Sequence, residues 1–277
     1  MGVARGELTS ARGGEGAALE AVDRAARVLF ALAALPTPSP LAEVAQRAGL
    51  TKPTAFRILS TLIAEGHAAQ NAETGAYRLG GESLRLGARV LAGVPARAPA
   101  LDAMRGIRDA VNETVVLSIR DGDFRYNVDS VEAENAIGQA QQIGVAIPLY
   151  TGAASRALLA GMERVDIDAY LARTLLVPFS DSTIVDSETL ARELEHTRAR
   201  GYAVSKGEFA SAGHAVAMAV RDGGGRAVAA IHVSAPASRF SPRVEGFCVA
   251  ALTKAVGELE RTLAIAASSQ DQTPKAG

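Results

Sequence analysis

The chain has 277 residues, a formal net charge of −1 and a hydrophobic share of 48%, so it can bury the cores of two domains. A single cysteine, Cys248, excludes an internal disulfide framework and a cysteine-based zinc site, and it is typical of a reducing compartment. No apolar run has the length or the flanks of a signal peptide or a membrane span. We therefore expect a cytoplasmic protein without a membrane partner.

Both ends of the chain are poor in apolar residues, which predicts a disordered arm over 1–18 and a disordered tail over 268–277. A first helix is predicted from Leu19 to just before Pro36. A short second helix, "LAEVAQRAG", ends at Gly49. The apolar residues at helical spacing in the first helix are Val22, Ala25, Ala26, Leu29, Phe30 and Ala33.

A third helix follows in the stretch "GLTKPTAFRILSTLIAEG", where Thr51 is a good N-cap and Pro53 is tolerated in the first turn. Two short helices joined by a tight turn containing glycine predict a helix-turn-helix. The third helix docks on a core through one apolar stripe, formed by Ala55, Ile58, Leu59, Leu62 and Ile63.

The opposite side of the third helix is polar and contains no acid before Glu65. A surface that enters the major groove needs donors for base edges and phosphates and no carboxylate that would repel the backbone. The alternative is the solvated side of an ordinary helix. The residues predicted to contact DNA are Thr51, Lys52, Thr54, Arg57, Ser60, Thr61 and, from the next segment, Arg78.

That next segment, "HAAQNAETGAYRLG", has the pattern of a strand, a turn with Asn71 and Gly75, and a returning strand. Three helices and a two-stranded wing predict a winged helix-turn-helix over 19–80, in which Arg78 contacts phosphate. The partly helical pattern that follows predicts a linker helix over 81–95.

The remainder, 96–267, alternates helical and strand patterns. A helix in "ALDAMRGIRDAVNE" precedes a hairpin that turns at Asp121–Asp123, and "NAIGQAQQIG" is a candidate third strand. A short helix in "TGAASRALLAG" and a longer one capped near Ser187 precede two strands joined by "DGGG" and a closing helix. The fold class is therefore α+β, with an antiparallel sheet flanked by helices that suits a small ligand.

The order of several motifs resembles the IclR family of bacterial transcription regulators over about residues 20–266. The motifs are "AVDRAARVLFALA", "LAEVAQRAGLTKPTAFRILSTLIAEGHAAQNAETGAYRLG", "IPLYTGAASRALLA", "RARGYAVSKGEF" and "AAIHVSAPASRF". The resemblance implies a winged helix-turn-helix that binds operator DNA and a GAF-like domain that binds a small organic or aromatic acid. It also implies a homodimer or homotetramer, and no cofactor.

The resemblance implies that backbone amide groups at the start of the helix in "TGAASRALLA" hold a carboxylate, which the dipole of a helix also favours. Three other matched positions depart from the residues that the family often has, which removes a charge and volume and favours a bulky or aromatic acid. The predicted effector-binding residues are Gln139, Tyr150, Ala153, Ala154, Ser205, Ala215, His232 and Ser234.

Two other functions remain open, a GAF-like small-molecule enzyme fused to a DNA-binding domain and an architectural DNA-binding protein. An enzyme needs a nucleophile or an acid and base that converge on the pocket, and none can be assembled from the sequence. His214 and His232 can lie near one another across the "DGGG" hairpin, but two histidines are a weak metal signal. We predict no catalytic residue and no metal site, and a core position for Cys248.

Overall fold

The computed structural model describes residues 20–134, 142–209 and 211–271, and the chain divides into two compact units between Val94 and Pro95. The first unit contains helices and a small two-stranded sheet. Its elements are α1 (Glu20–Ala34), α2 (Leu41–Ala48), α3 (Lys52–Ala64), β1 (Ala68–Gln70), β2 (Tyr77–Leu79) and α4 (Gly81–Ala92).

The turn between α2 and α3 has the predicted form. Gly49 ends α2 in the left-handed conformation, with φ of 63°, and its N–H donates to carbonyl groups of the last turn. The side chain of Thr51 caps α3 by accepting a hydrogen bond from the N–H of Thr54 at 3.4 Å. Both helices pack with α1 and the wing around one apolar core. The helix-turn-helix prediction is confirmed.

The buried stripe of α1 differs from the predicted one. Val28, Ala31 and Leu32 are buried against α2, α3 and the wing, whereas Val22 and Phe30 are 63% and 62% exposed. Helical spacing fixes which residues share a face, but the packing partners decide which face is covered. The exposed apolar residues of α1 are therefore available for another surface.

The wing is confirmed as an antiparallel pair in which Ala69 lies opposite Arg78. Asn71 shapes the turn because its side-chain oxygen accepts hydrogen bonds from two backbone N–H groups, at 2.9 Å each. A backbone bridge between Ser39 and Tyr77 joins the wing to the loop before α2. Arg78 is exposed on this wing.

The described part of the second unit contains eight strands and helices that follow the predicted alternation, and three further elements. They are α5 (Arg97–Val111), β3 (Thr114–Asp121), β4 (Phe124–Val131), β5 (Ala146–Pro148), α6 (Ala153–Ala160), α7 (Arg164–Arg173), α8 (Ser187–Arg200), β6 (Ala203–Lys206), β7 (Gly213–Arg221), β8 (Ala227–Pro236) and α9 (Pro242–Asp271). The three further elements are β5, α7 and β6.

The six strands form one antiparallel sheet in the order β5-β4-β3-β8-β7-β6. Helices α6 and α8 lie on one side of the sheet, and α5 and α9 lie on the other. Both sides are therefore covered, and buried residues alternate between two cores. The α+β prediction is confirmed, and Cys248 is buried in α9, where burial raises the pKa of its thiol to about 11.

Several local predictions change. The candidate strand "NAIGQAQQIG" falls mostly on residues 135–141, outside the described residues, and the strand in this region is β5. Helix α7 and strand β6 were missed because each is short and has weak periodicity. The N-cap of α8 is Asp186, whose carboxylate accepts from the N–H of Thr189 at 2.7 Å, and not Ser187. Helix α9 continues to Asp271, so the predicted tail at 268 begins too early.

No helix among the described residues is long and apolar enough to cross a bilayer.

Gly80 and Gly81 provide a matched test of the junction between the wing and α4. A β-carbon at Gly80 would overlap the backbone carbonyl oxygens of Gly66 and Ala68, whereas one at Gly81 meets no atom within 4 Å. Gly80→Ala should therefore lower the free energy of unfolding of the first unit by about 1 to 3 kcal/mol. Gly81→Ala should leave it unchanged or raise it by up to about 1 kcal/mol.

Hydrogen exchange of the amides between residues 20 and 80, followed by mass spectrometry, measures this difference without interference from the second unit. Equal protection in the two variants would show that the junction tolerates a side chain at Gly80.

Candidate functional site

The exposed side of α3 carries the predicted DNA-contacting residues. Thr51, Lys52 and Arg57 are exposed, and Thr54 is half-buried. The hydroxyl groups of Ser60 and Thr61, also exposed, donate to carbonyl oxygens one turn earlier in α3, at 2.9 and 3.3 Å. Each hydroxyl oxygen can still accept a hydrogen bond from outside. Sequence reasoning missed Phe56, which is 51% exposed on the same helix.

Charge pairing distinguishes the cations of this surface from several others in the first unit. Arg24 on α1 and Arg85 on α4 each pair with a carboxylate three or four residues away. Lys52, Arg57 and Arg78 have no carboxylate partner among the residues that the structure describes. These three cations therefore remain available to phosphate or to a base edge.

The predicted effector residues of the sheet lie in adjacent positions. Ser205, Ala215 and Ser234 are direct neighbours across β6, β7 and β8, and His232 lies two residues from Ser234 on the same side of the sheet. This side is the one that α6 covers, since Ala215 and Ala217 pack into the core with α6. The sheet therefore brings together four residues that are up to 29 positions apart in the sequence.

The start of α6 faces this part of the sheet. Ala153 and Ala154 are buried, and within the described chain their backbone N–H groups have no hydrogen-bond acceptor. The first N–H groups of a helix lack internal partners and lie at the positive end of its dipole, so they favour an anion. Tyr150 is also buried, but its hydroxyl group is engaged with the backbone of Val177, donating to the carbonyl at 2.9 Å and accepting from the N–H at 3.2 Å.

A buried ion pair fixes the start of α6 against the loop after β6. The guanidinium of Arg156 donates to the carboxylate of Glu208 and to the carbonyl of Val204, and both side chains are buried. The same carboxylate accepts from the N–H of Gly152 at 3.3 Å, while the carbonyl of Glu208 accepts from the hydroxyl of Thr183 at 2.7 Å. The charge of Arg156 is thus neutralised inside the protein.

A second buried arginine, Arg125 on β4, has no such carboxylate. Its Nε donates to Ser155 of α6 at 2.9 Å, and its Nη1 donates to Ser118 at 3.2 Å and to Asn127 at 2.5 Å. All four residues are buried, and Arg125 is only 6% exposed. The Asn127 amide in turn donates to the carbonyl of Gln142 at 3.2 Å. The guanidinium therefore lies beside the first turn of α6, held by neutral acceptors alone.

The pKa values of this region reflect the buried charge. Burial lowers the pKa of Arg125 to about 10, which leaves the side chain charged at neutral pH. Burial holds the pKa of His232 well below its usual range, and the charge of Arg125 lowers it further. His232 is therefore neutral at neutral pH, and its Nδ1 is buried without a hydrogen-bond partner in the described structure.

His214 and His232 do not lie close enough to bind the same metal ion. His214 lies opposite Ala235 and His232 lies opposite Ala217, an odd offset along β8 that directs the two rings to opposite sides of the sheet. Among the described residues, no group of three or more His, Cys, Asp or Glu side chains could hold a metal ion. Gln139, the remaining predicted effector residue, lies outside the described residues.

Sequence reasoning missed Arg125, Asn127, Arg156 and Glu208. An arginine in the otherwise apolar stretch "AASRALLA" was a signal of a buried ion pair. The alternation in "FRYNV" instead resembles a strand with one solvated side. The side of β4 that carries Arg125 is buried because α6 packs against it, which only the tertiary structure shows.

Comparisons with known proteins agree with both units. Residues 21–72 match the IclR helix-turn-helix domain, and residues 88–261 match the family described as bacterial transcriptional regulator IclR C-terminal. The chain is 32% identical over 243 residues to the HTH-type transcriptional regulator BhcR of Paracoccus denitrificans, covering 86% of each chain. It is 28% identical over 222 residues to the HTH-type transcriptional repressor AllR of Escherichia coli K12, covering 80% of this chain and 82% of AllR.

Solved structures share the fold. The Thermotoga maritima IclR has a TM-score of 0.73 at 26% identity, covering 89% of this chain and 99% of that protein. An IclR homolog of Microbacterium hydrocarbonoxydans, complexed with 4-hydroxybenzoate, has a TM-score of 0.74 at 21% identity, covering 88% of this chain and 98% of that protein. At 21% sequence identity, this match supports only a shared fold. With the winged helix-turn-helix and the helix-covered antiparallel sheet both matched, the chain belongs to the IclR family of bacterial transcriptional regulators.

Proposed function

We propose that the chain is a DNA-binding repressor of catabolic genes that responds to a small organic or aromatic acid. The observation that carries the proposal is the exposed side of α3, where Lys52 and Arg57 lie without carboxylate partners in the described structure. Buried polar groups without partners in the second unit support a response to a ligand. The name of the relative AllR supports repression.

The proposed domains are a DNA-binding domain over 19–80, a linker helix over 81–95 and an effector-binding domain over 96–267. The division of the chain between Val94 and Pro95 supports this arrangement. Relatives named as transcriptional regulators support a role without catalysis. Because its target is the genome, we place the protein in the cytoplasm.

In the proposed complex, α3 enters the major groove of a palindromic operator. Arg57 lies in the middle of α3 and can donate two parallel hydrogen bonds to a guanine edge. Lys52 lies at the first turn and Arg78 on the wing, where both reach phosphate oxygens. Thr51, Thr54, Ser60 and Thr61 add hydroxyl groups on the same side.

Arg57→Ala and Lys52→Ala should weaken operator binding in different ways. Arg57→Ala should cost about 1 to 3 kcal/mol and relax specificity at one base pair in each half-site. Lys52→Ala should weaken binding to all sequences and reduce the salt dependence by roughly one unit of slope. Footprinting and affinity measurements over a salt series distinguish the two effects.

Arg24→Ala is the matched control, because it removes one positive charge that α1 already pairs with Glu20. If both α3 variants have the footprints and affinities of the wild type, α3 does not contact the DNA.

We also propose that the DNA-competent form is a homodimer, or a homotetramer built from such dimers. Helix α4 has no buried residue, and its apolar residues Leu84, Leu86 and Val90 are 76%, 52% and 63% exposed. Together with Phe30 of α1, and with Leu29 half-buried beside it, they form apolar surface in need of a cover. One recognition helix reads few base pairs, so paired half-sites require paired helices.

Leu86→Glu should shift the protein toward a monomer and weaken operator binding at least tenfold, because it places a charge in the proposed contact. Val165→Glu on α7 is a matched control, since Val165 is 72% exposed in the other unit. Sedimentation velocity with and without operator DNA measures the assembly. A wild-type monomer bound tightly to one isolated half-site would contradict the dimer.

The proposed effector is an organic acid that is aromatic or otherwise bulky. Its carboxylate accepts from the N–H groups of Ala153 and Ala154, and its second polar group meets His232. Ser205, Ala215 and Ser234 form the adjacent wall in this proposal. The partnerless Nδ1 of His232 supports it. The 4-hydroxybenzoate complex of a protein with this fold is compatible with an aromatic acid.

Calorimetry with 4-hydroxybenzoate, benzoate and glyoxylate tests the effector class. The wild type should bind 4-hydroxybenzoate most tightly. His232→Ala should weaken that binding by about three- to tenfold, because one hydrogen bond is lost, and should affect benzoate little. Equal binding of 4-hydroxybenzoate by both proteins, or a preference for glyoxylate, would contradict the proposal.

A further inference from the structure

We infer that Arg125 is the residue that recognises the charge of the effector, and that the site selects a monoanionic carboxylate over a neutral isostere or a dianion. The inference rests on the proposed function, since it concerns the ligand of the same site. It adds a second anion-binding group, from β4, to the helix start that the sequence predicted.

The first step is the unused donor capacity of Arg125. A guanidinium has five N–H groups, and the hydrogen bonds to Ser155, Ser118 and Asn127 involve only Nε and Nη1. No hydrogen bond from Nη2 to the described chain exists. An acceptor on a ligand can therefore bind this end of Arg125 without breaking the three bonds that orient it.

The second step is the balance of charge. Among the described residues, the buried charges around the start of α6 are those of Arg125, Arg156 and Glu208, and Glu208 pairs with Arg156. One positive charge is left over, next to the positive end of the α6 dipole. A buried charge without a counter-ion is unfavourable, so one anion that binds beside Arg125 stabilises the folded protein. A second negative charge would in turn be buried without a partner.

The third step is that the groups around Arg125 are hydrogen-bond donors, which favour a ligand that accepts hydrogen bonds. The N–H groups of Ala153 and Ala154 have no acceptor within the described residues, and Ser155 links the guanidinium to the same first turn. Burial, and after it the charge of Arg125, lowers the pKa of His232, so a second cation does not form beside Arg125. A carboxylate near the first turn of α6 can thus accept from the helix start and from the fork of Arg125.

The test compares the melting temperatures of the full-length wild type, Arg125→Gln, Arg125→Lys and the exposed control Arg105→Gln. Without acid, Arg125→Gln should melt at or above the wild-type temperature, because an uncompensated charge is removed. With saturating 4-hydroxybenzoate, the wild type and Arg105→Gln should gain stability. The neutral 4-hydroxybenzamide and the dianion terephthalate should stabilise them much less.

Arg125→Gln should bind 4-hydroxybenzoate at least about thirtyfold more weakly, since a desolvated partner of the carboxylate is lost. Arg125→Lys keeps the charge without the planar fork, so it should recover part of that affinity. A lower melting temperature of acid-free Arg125→Gln would overturn the inference by making Arg125 structural. Wild-type affinity for the acid in Arg125→Gln would also overturn it.

The outcomes separate this inference from the proposed function. If 4-hydroxybenzoate does not bind the wild type, the aromatic effector is wrong, and the role of Arg125 stands only if the smaller monoanion glyoxylate raises the melting temperature of the wild type and not that of Arg125→Gln. A second outcome is that the acid changes the operator affinity of the wild type while Arg125→Gln binds the acid as tightly as the wild type does. The proposed regulator function is then supported and the proposed role of Arg125 is wrong.

Discussion

The ion pair between Arg156 and Glu208 is the interaction on which the geometry of the second unit depends. It joins the middle of α6 to the loop that follows β6, and the same carboxylate accepts from the N–H of Gly152 just before α6 begins. Removing one partner would leave the other charged and buried, an arrangement that typically costs about 3 to 5 kcal/mol. The position of the helix start over the sheet is therefore strongly constrained, and so is any ligand that binds there.

The same region contains a contrast between two arginines. Arg156 is neutralised within the chain, whereas Arg125 is oriented by three neutral side chains and keeps its charge. Structural arginines that are buried usually have a carboxylate, because an unpaired charge opposes folding. A protein that senses an acid can use this imbalance, since the acid then stabilises the folded state on binding. The neutral His232 beside it is suited to a polar but uncharged group.

The first unit follows a different physical rule. Its cations on α3 and on the wing are exposed and unpaired in the described residues, while Arg24 and Arg27 of α1 and Arg85 of α4 have carboxylate partners nearby. Phosphate binding depends on exposed charge that is screened by salt, whereas effector binding depends on buried charge that is not. The chain thus holds one kind of cation at its surface and the other in its interior.

The sequence alone determined most of the order of the elements, though not α7, β5 and β6, because helix caps, turn glycines and apolar spacing act over a few residues. Thr51, Gly49 and the stripe of α3 were sufficient to predict the helix-turn-helix, and motif order was sufficient to identify the family. Which side of each element is buried was decided only in the tertiary structure. Phe30 follows the helical period yet is exposed, and Arg125 lies on an apparently solvated strand yet is buried. Local patterns specify a face, but burial depends on what packs against it, and those partners are distant in the chain.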